Sequence, residues 1–286
     1  MATKNKLYIG HNIHISHGLI SSSDYAKSIG ANFYQIFLTN PQKYTVPKHN
    51  KNDLLALKNK LAKNNQKIVI HGSFMTNFCN EVTCYKHTKA VDLLVSDLNY
   101  CKILGGIGVV IHMGKRLKMD REYALNNYVE GIKTVLSRTK DSTIIFETGA
   151  GVGTEICTDI FGLRELYDRF TSEEKTRLKF CIDTCHIFSA GYAIGYPKYS
   201  KFYCKFVDTV LGWDNVACIH LNDSKCAFDS RKDRHADLGK GNISLDGLKI
   251  FINHCYKKDI PIVLETPCDY IPKDEQIATV KSWINI

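Results

Sequence analysis

The chain has 286 residues, 44% of them apolar, and a formal net charge of +9. This length and composition suit one large α/β domain or two smaller ones, and no uninterrupted apolar run approaches the ~20 residues of a membrane span. The opening MATKNKLYIG lacks the apolar core of a signal peptide, so an intracellular, non-secreted protein is expected, in cytoplasm or nucleus, or in a virion for a viral source.

Eight short apolar runs follow one another, each rich in β-branched or aromatic residues and each ending in a turn. They are KLYIGHNI (6–13), NFYQIFLT (32–39), KIVIHGS (67–73), IGVVIHMG (107–114), STIIFETG (142–149), LKFCIDTCH (178–186), VACIHLND (216–223) and IPIVLET (260–266). Between them, segments such as 52–64, 89–105 and 121–139 repeat apolar residues three and four apart, as helices do. Near-continuous apolar strands alternating with amphipathic helices predict a parallel sheet covered by helices, and eight such units in this length predict a closed (β/α)8 TIM-type barrel. No repeat, low-complexity tract or linker divides the chain, so one barrel domain over 1–286 is expected. The structural alternative, an open doubly wound sheet, would carry a glycine-rich phosphate turn after the first strand, and IGHNIHISHG is not GxGxxG.

Eleven cysteines, an odd number without a CxxC pair, read mostly as buried thiols. Cys181 and Cys185 read as small strand residues, and Cys79 with Cys84 is a candidate loop disulfide or metal clip. The positive charge gathers in MGKRLK (113–118) and SRKDRH (230–235). These loops are either a solvated face or a surface for a polyanion, because cations that neutralise phosphates release counterions.

His71, His112, Glu147, Asp183, His186, His220 and Glu265 all stand at or just past the C-terminal end of a predicted strand, and in a barrel those ends converge on one mouth. A single histidine there would be a hydrogen-bonded structural residue. Seven acidic or imidazole groups are different, because carboxylates packed together repel and lose hydration unless cations compensate them. Asp233 and His235 flank Arg234 in DRHADLGKGN. Residues two apart in an extended segment point the same way, so with His186 they form a further ligand group. The histidines at 11, 14, 17, 49, 87 and 254 lack such company and read as structural or surface residues. CIDTCHIFSAGY (181–192), taken locally, leaves open a disulfide corner, a packed core turn and part of a metal site.

IHGS, IHMG, ETGAGVGT, CIDTCHIFSAGY, HLNDSK, DRHADLGKGNI and VLET resemble, in order, the motifs of the endonuclease IV family of apurinic/apyrimidinic (AP) endonucleases, from about residue 8 to 267. The resemblance implies a (β/α)8 barrel with three zinc ions, manganese being possible at one or more sites. His71, His112 and Glu147 would hold the first. Glu147 would bridge to the second, also held by Asp183, His220 and Glu265, and His186, Asp233 and His235 would hold the third. Glu147 and Glu265 would be the bridging and orienting carboxylates of catalysis, with metal-activated water as nucleophile.

The implied reaction is hydrolysis of the phosphodiester 5′ to an abasic site in double-stranded DNA, together with trimming of blocked 3′ ends, by a monomer. Gln42, beside Lys43 and Tyr44, stands where family members can present an arginine. Phe74 and Met75 match an aromatic and an aliphatic residue that either wedge into the minor groove or cap the barrel mouth. Lys115, Arg116, Lys225, Arg231, Lys232 and Arg234 are the expected phosphate contacts. Asn12 departs from the histidine common at its position, which is not among the nine ligand positions. A divalent-metal sugar isomerase or epimerase of similar barrel is the competing enzyme reading. A catalytically dead nucleic-acid-binding module is the third, and the intact ligand set weighs against it.

Overall fold

The computed structural model describes residues 6–16 and 18–284. His17 and residues 1–5 of the segment read against a signal peptide lie outside the described residues. Eight strands form one parallel sheet: β1 (Ile9–His11), β2 (Phe33–Ile36), β3 (Lys67–His71), β4 (Val109–Ile111), β5 (Ile144–Glu147), β6 (Leu178–Asp183), β7 (Val216–Leu221) and β8 (Ile262–Leu264). Neighbours run β1-β8-β7-β6-β5-β4-β3-β2. The ends of that row meet: Asn32 N donates to Ile9 O (3.0 Å), Ile13 N donates to Gln35 O (2.8 Å), and Asn12 forms a parallel bridge with Gln35. The expected (β/α)8 barrel is therefore borne out. Its strands are shorter than the apolar runs, because the flanking residues of each run leave the ladder to build the loops of the mouth.

Helices α1 (Ser21–Ser28), α2 (Lys51–Lys63), α3 (Tyr85–Leu104), α4 (Arg121–Arg138), α5 (Ile160–Asp168), α6 (Ser172–Lys175), α7 (Thr184–Ser189), α8 (Pro197–Phe206), α9 (Leu245–Lys257) and α10 (Lys273–Trp283) complete the units. In α2 the 3-4 spacing buries Leu54, Leu57 and Leu61, and the side chain of Asn50 caps the first turn by accepting from Asn52 N. Helix α3 starts four residues before its apolar pattern because Cys84 caps it, Sγ accepting from His87 N at 3.4 Å. Gly105 ends it in the left-handed conformation (φ 71°) that favours glycine. All eleven cysteines are free thiols, so Cys79 and Cys84 are not bonded. Cys185 lies in α7, not in a strand as its sequence suggested, because Asp183 ends β6 and starts a helix at once. No helix among the described residues is long and apolar enough to cross a membrane.

The barrel interior supports the site. Phe33, Val69, Val110, Ile145, Cys181, Cys218 and Val263 pack on one another, all fully buried. Two residues further along the same strands, or just past their ends, come Gln35, His71, His112, Glu147, Asp183, His220 and Glu265. Side chains two apart in a strand share a face, so an apolar floor carries a polar ring above it.

Barrel closure leaves little room at Gly10, where a Cβ would lie 1.8 Å from Phe33 O and 2.7 Å from Ala31 Cβ. A backbone carbonyl cannot rotate away as a flexible side chain can. Gly10→Ala is therefore expected to destabilise the fold, as read from urea unfolding, by more than the ~1–3 kcal/mol of ordinary overpacking. A midpoint equal to that of the parent chain would show that β1 and β2 do not meet this closely.

Candidate metal centre

Glu147 ends β5, is 1% exposed, and stands among four imidazoles. His71 Nε2 and His112 Nε2 lie 3.4 and 3.5 Å from its Oε2, while His220 Nδ1 and His186 Nδ1 lie 2.9 and 3.5 Å from its Oε1. His220 Nδ1 also lies 3.2 Å from Glu265 Oε2. Burial opposes the charge on Glu147, but His112 and His220 outweigh it and hold the carboxyl well below its ordinary range. Burial likewise resists charge on His220, yet Glu265 and Glu147 lift its pKa to about 10. Asp183, fully buried, is shifted the other way by loss of hydration.

The spacing in DTCH has a local cause. Asp183 is the N-cap of α7, its Oδ1 accepting from His186 N at 2.9 Å, which sets the aspartate and the histidine three residues apart on one helical turn. Thr148, the residue after Glu147, holds both: its Oγ1 accepts from Asp183 N (2.9 Å) and its carbonyl bonds His186 Nδ1 (2.8 Å). The opposite edge, His186 Nε2, faces Asp233 Oδ2 at 3.2 Å. His235 belongs to a two-residue strand, His235–Ala236, antiparallel to Asp223–Ser224, and its Nε2 lies 3.2 Å from Asp233 Oδ1 and 3.6 Å from Asp183 Oδ2.

The nine candidate ligands thus form one continuous cluster. Within it the donor atoms of His71, His112 and Glu147 lie within 4.8 Å of one another, and so do those of His186, Asp233 and His235. Glu147 Oε2, His186 Nε2 and His235 Nε2 are buried without a hydrogen-bond partner. Buried polar atoms of this kind are costly unless something pairs with them. Nitrogen and carboxylate oxygen donors converging on the same points fit a divalent cation.

Three residues of the cluster escaped the sequence reading: Gln35, Thr148 and Asn222. Asn222 Nδ2 donates to Asp183 Oδ2 at 2.7 Å, and its Oδ1 accepts from Glu265 N at 2.9 Å. Gln35 carried a usable signal, since it is the polar member of NFYQIFLT two residues after an apolar strand position.

The matching family model, described as a xylose isomerase-like TIM barrel, covers residues 23–285. A protein of Acanthamoeba polyphaga mimivirus that carries the name putative endonuclease 4 is 40% identical over 290 residues, 96% of this chain and 93% of that one. The chain belongs to the endonuclease IV family. The apurinic-apyrimidinic endonuclease 1 of Saccharomyces cerevisiae is 32% identical over 256 residues, 87% of this chain and 68% of the yeast protein. The crystal structure of endonuclease IV from Thermus thermophilus superposes with a TM-score of 0.81 at 25% identity, covering 96% and 98% of the two chains. This member of the family is accordingly a nuclease, a metal-dependent phosphodiesterase.

In this endonuclease IV family member the loops that follow β2 and β3 touch: Phe74 N and Ser73 Oγ both donate to Pro41 O at 3.0 Å. Phe74 is 54% exposed, with its ring 5.4 Å from those of His71, His112 and Phe37. It overhangs the cluster beside a hollow of about 310 Å³ that His112, Lys115, Glu155 and Asp233 also line. Met75 and Tyr44 are half-buried, while Gln42 and Lys43 are exposed. Of the basic residues, Lys225 pairs with Asp269 and Arg231 with Asp229. Arg234 and Arg116 donate to the carbonyls of Asp233 and Met119. Lys43, Lys115 and Lys232 have no ion pair among the described residues. The remaining described histidines stand apart from the cluster. His11 bonds Thr266 Oγ1, His49 bonds Leu38 O, His87 bonds Asn127 O, the ring of His254 lies tilted 4.9 Å from that of Trp213, and His14 is exposed.

The loop that follows β2 is anchored by Asp97 of α3, whose Oδ1 accepts from Thr39 Oγ1 at 2.6 Å while its Oδ2 is buried and unpartnered. Burial raises this carboxyl from 3.8 to about 7. The folded chain therefore keeps a proton that the unfolded chain has already lost, so this group's contribution to stability falls as pH rises from 3.8 to about 7. Asp97→Asn is expected to lack that fall and to gain on the parent chain across the same interval. Urea midpoints that run parallel for both proteins would show that Asp97 does not titrate there.

Proposed function

We propose that the chain is a zinc-dependent AP endonuclease that hydrolyses the phosphodiester 5′ to abasic sites in double-stranded DNA, leaving a 3′-hydroxyl and a 5′-deoxyribose phosphate. The same centre would trim blocked 3′ ends. The observation that carries this reading is the third ligand group, His186, Asp233 and His235, standing beside the groups that share Glu147. A sugar isomerase or epimerase of the same barrel would have no use for that further group or for the exposed cations around the mouth. The name of the yeast relative supports the abasic substrate.

In this reading His71, His112 and Glu147 hold one ion. Glu147, Asp183, His220 and Glu265 hold a second, and His186, Asp233 and His235 hold a third. All nine ligands come from one barrel, which supports a monomer. Zinc bound there supplies Lewis acidity at the phosphate and lowers the pKa of water so that a nucleophile exists at neutral pH. The protein's own contribution is placement. The ligand carboxylates and imidazoles are fixed by strand ends and by the α7 cap, and Lys43, Lys115 and Lys232 offer charge to the DNA backbone. Gln42 and Tyr44 would line the duplex in the loop that follows β2, and Phe74 with Met75 would enter the minor groove where the damaged nucleotide is turned out. Lys225, Arg116, Arg231 and Arg234, already engaged with neighbours, would contact phosphate only by exchanging those partners.

Purified protein is expected to hold about three zinc ions, with manganese competent at one or more sites. The double variant Asp233→Ala/His235→Ala should lose about one ion and most activity while its far-ultraviolet spectrum stays unchanged, because both residues lie outside the barrel strands. Full metal content in the double variant would remove these residues from the site.

The bond that breaks separates this mechanism from β-elimination, which needs an amine to form a Schiff base with the abasic sugar. No lysine belongs to the polar ring above the barrel floor, and hydrolysis needs none. An abasic duplex nicked by the protein should be extended directly by a polymerase, cleavage should stop with a chelator, and borohydride should trap no protein–DNA adduct. An unsaturated 3′ aldehyde that the polymerase cannot extend would overturn the hydrolytic assignment.

A further inference from the structure

Gln35 lies on β2, is fully buried, and reaches across the barrel mouth to two members of the cluster. Its Nε2 donates to Glu265 Oε1 at 2.6 Å, and its Oε1 bonds His220 Nε2 at 2.8 Å. Only one orientation of the amide serves both neighbours. Exchanging oxygen and nitrogen would set a carbonyl against a carboxylate oxygen and leave the NH2 facing the imidazole. The ring nitrogen turned to Gln35 therefore carries hydrogen, so that Nδ1, which faces Glu147 and Glu265, is the nitrogen that would give up its proton to a metal ion.

This is the reverse of the arrangement at the neighbouring histidines. His71, His186 and His235 each turn Nδ1 to a backbone carbonyl, of Gly72, Thr148 and Glu265 respectively, and leave Nε2 facing the carboxylates of the cluster. Backbone geometry gives those rings their orientation, whereas His220 depends on a side chain. If Gln35 served only to fill space, an apolar residue like Phe33 in the floor below would do so without a buried amide to satisfy.

We propose that Gln35 is a positioning residue of the second ligand group. It fixes His220 as the Nε2–H tautomer and pins one oxygen of Glu265, so that His220 Nδ1 and the other carboxylate oxygen face the same ion. The proposal rests on the reading that this group binds a metal. Partners of this kind set both the tautomer and the basicity of a ligating histidine, and their loss weakens metal affinity about 10–100-fold.

The test compares zinc-loaded parent protein with Gln35→Met, which keeps the length of the side chain and removes both hydrogen bonds. Stepwise chelator competition should show one zinc of the variant weakened about 10–100-fold while the others keep their affinity. Nitrogen-15 spectra of histidine-labelled parent protein should show His220 with hydrogen on Nε2 and metal on Nδ1, a pattern lost or mixed in the variant. A general loss of packing would weaken all the ions together and would overturn the assignment, as would unchanged affinities with an unchanged His220 pattern. Should Gln35→Met fail to fold, the parent spectrum still decides, since hydrogen on Nδ1 of His220 contradicts the proposal. A parent protein without zinc at this group would instead remove the reading on which the proposal stands, and the proposal with it.

Discussion

A carboxylate with almost no access to water, surrounded by four imidazoles, is the interaction on which the rest of this structure depends. Glu147 keeps its charge because imidazoles lie within 3.5 Å of it on several sides, His220 among them with its own pKa raised to about 10. In the protein alone, protonated histidine supplies the positive charge, and cations compete with those protons for the same nitrogen and oxygen atoms. One oxygen of Glu147 and the Nε2 atoms of His186 and His235 stay without hydrogen bonds in a region where unpaired polar atoms are costly. These unpaired atoms leave a local energetic deficit at the mouth, of the kind that a bound cation would offset.

The deficit is tolerable because the barrel below is apolar and closed. Seven interior side chains fill the floor, and the same two-residue alternation that sends them inward sends the ligands inward one step higher. Rigidity comes from short connections. Asp183 is at once the end of a strand, the cap of a helix and a member of the cluster, so His186 cannot drift from it without unwinding α7. Thr148 and Asn222 tie neighbouring strand ends together in the same way. The loops that follow β2 and β3 lie outside this frame, yet Pro41 and Phe74 join them to each other and Asp97 joins the first to α3.

Much of this was legible in the order of residues. Near-continuous apolar runs alternating with 3.6-period segments are local patterns, and eight repeats of that alternation fit few architectures besides a closed barrel. Most of the candidate ligands were legible because they sit at or just past a strand's C-terminal end, a position that local pattern marks, while Asp233 and His235 were legible from their spacing in DRHADLGKGN. Element limits were less legible. The cap at Cys84 lengthened α3 against its apolar pattern, and the cap at Asp183 turned Cys185 from strand to helix. The lysines and arginines of the basic loops looked alike in sequence, and pairing with Asp269 or Asp229 separates Lys225 and Arg231 from Lys115 and Lys232.

The sequence by itself determined the barrel and the identity of the groups at its mouth, because both follow from the alternation of apolar runs with helical spacing and from the chemistry of single residues at the ends of those runs. Only the tertiary structure decided which donors meet. Distances between side chains on different strands depend on register and closure, and these join Gln35 on the second strand to His220 and Glu265 on the last two. Glutamine has no metal-binding signature, and a lone polar residue in an apolar run gives no hint of its partners. Its meaning here comes from contacts 185 and 230 residues away.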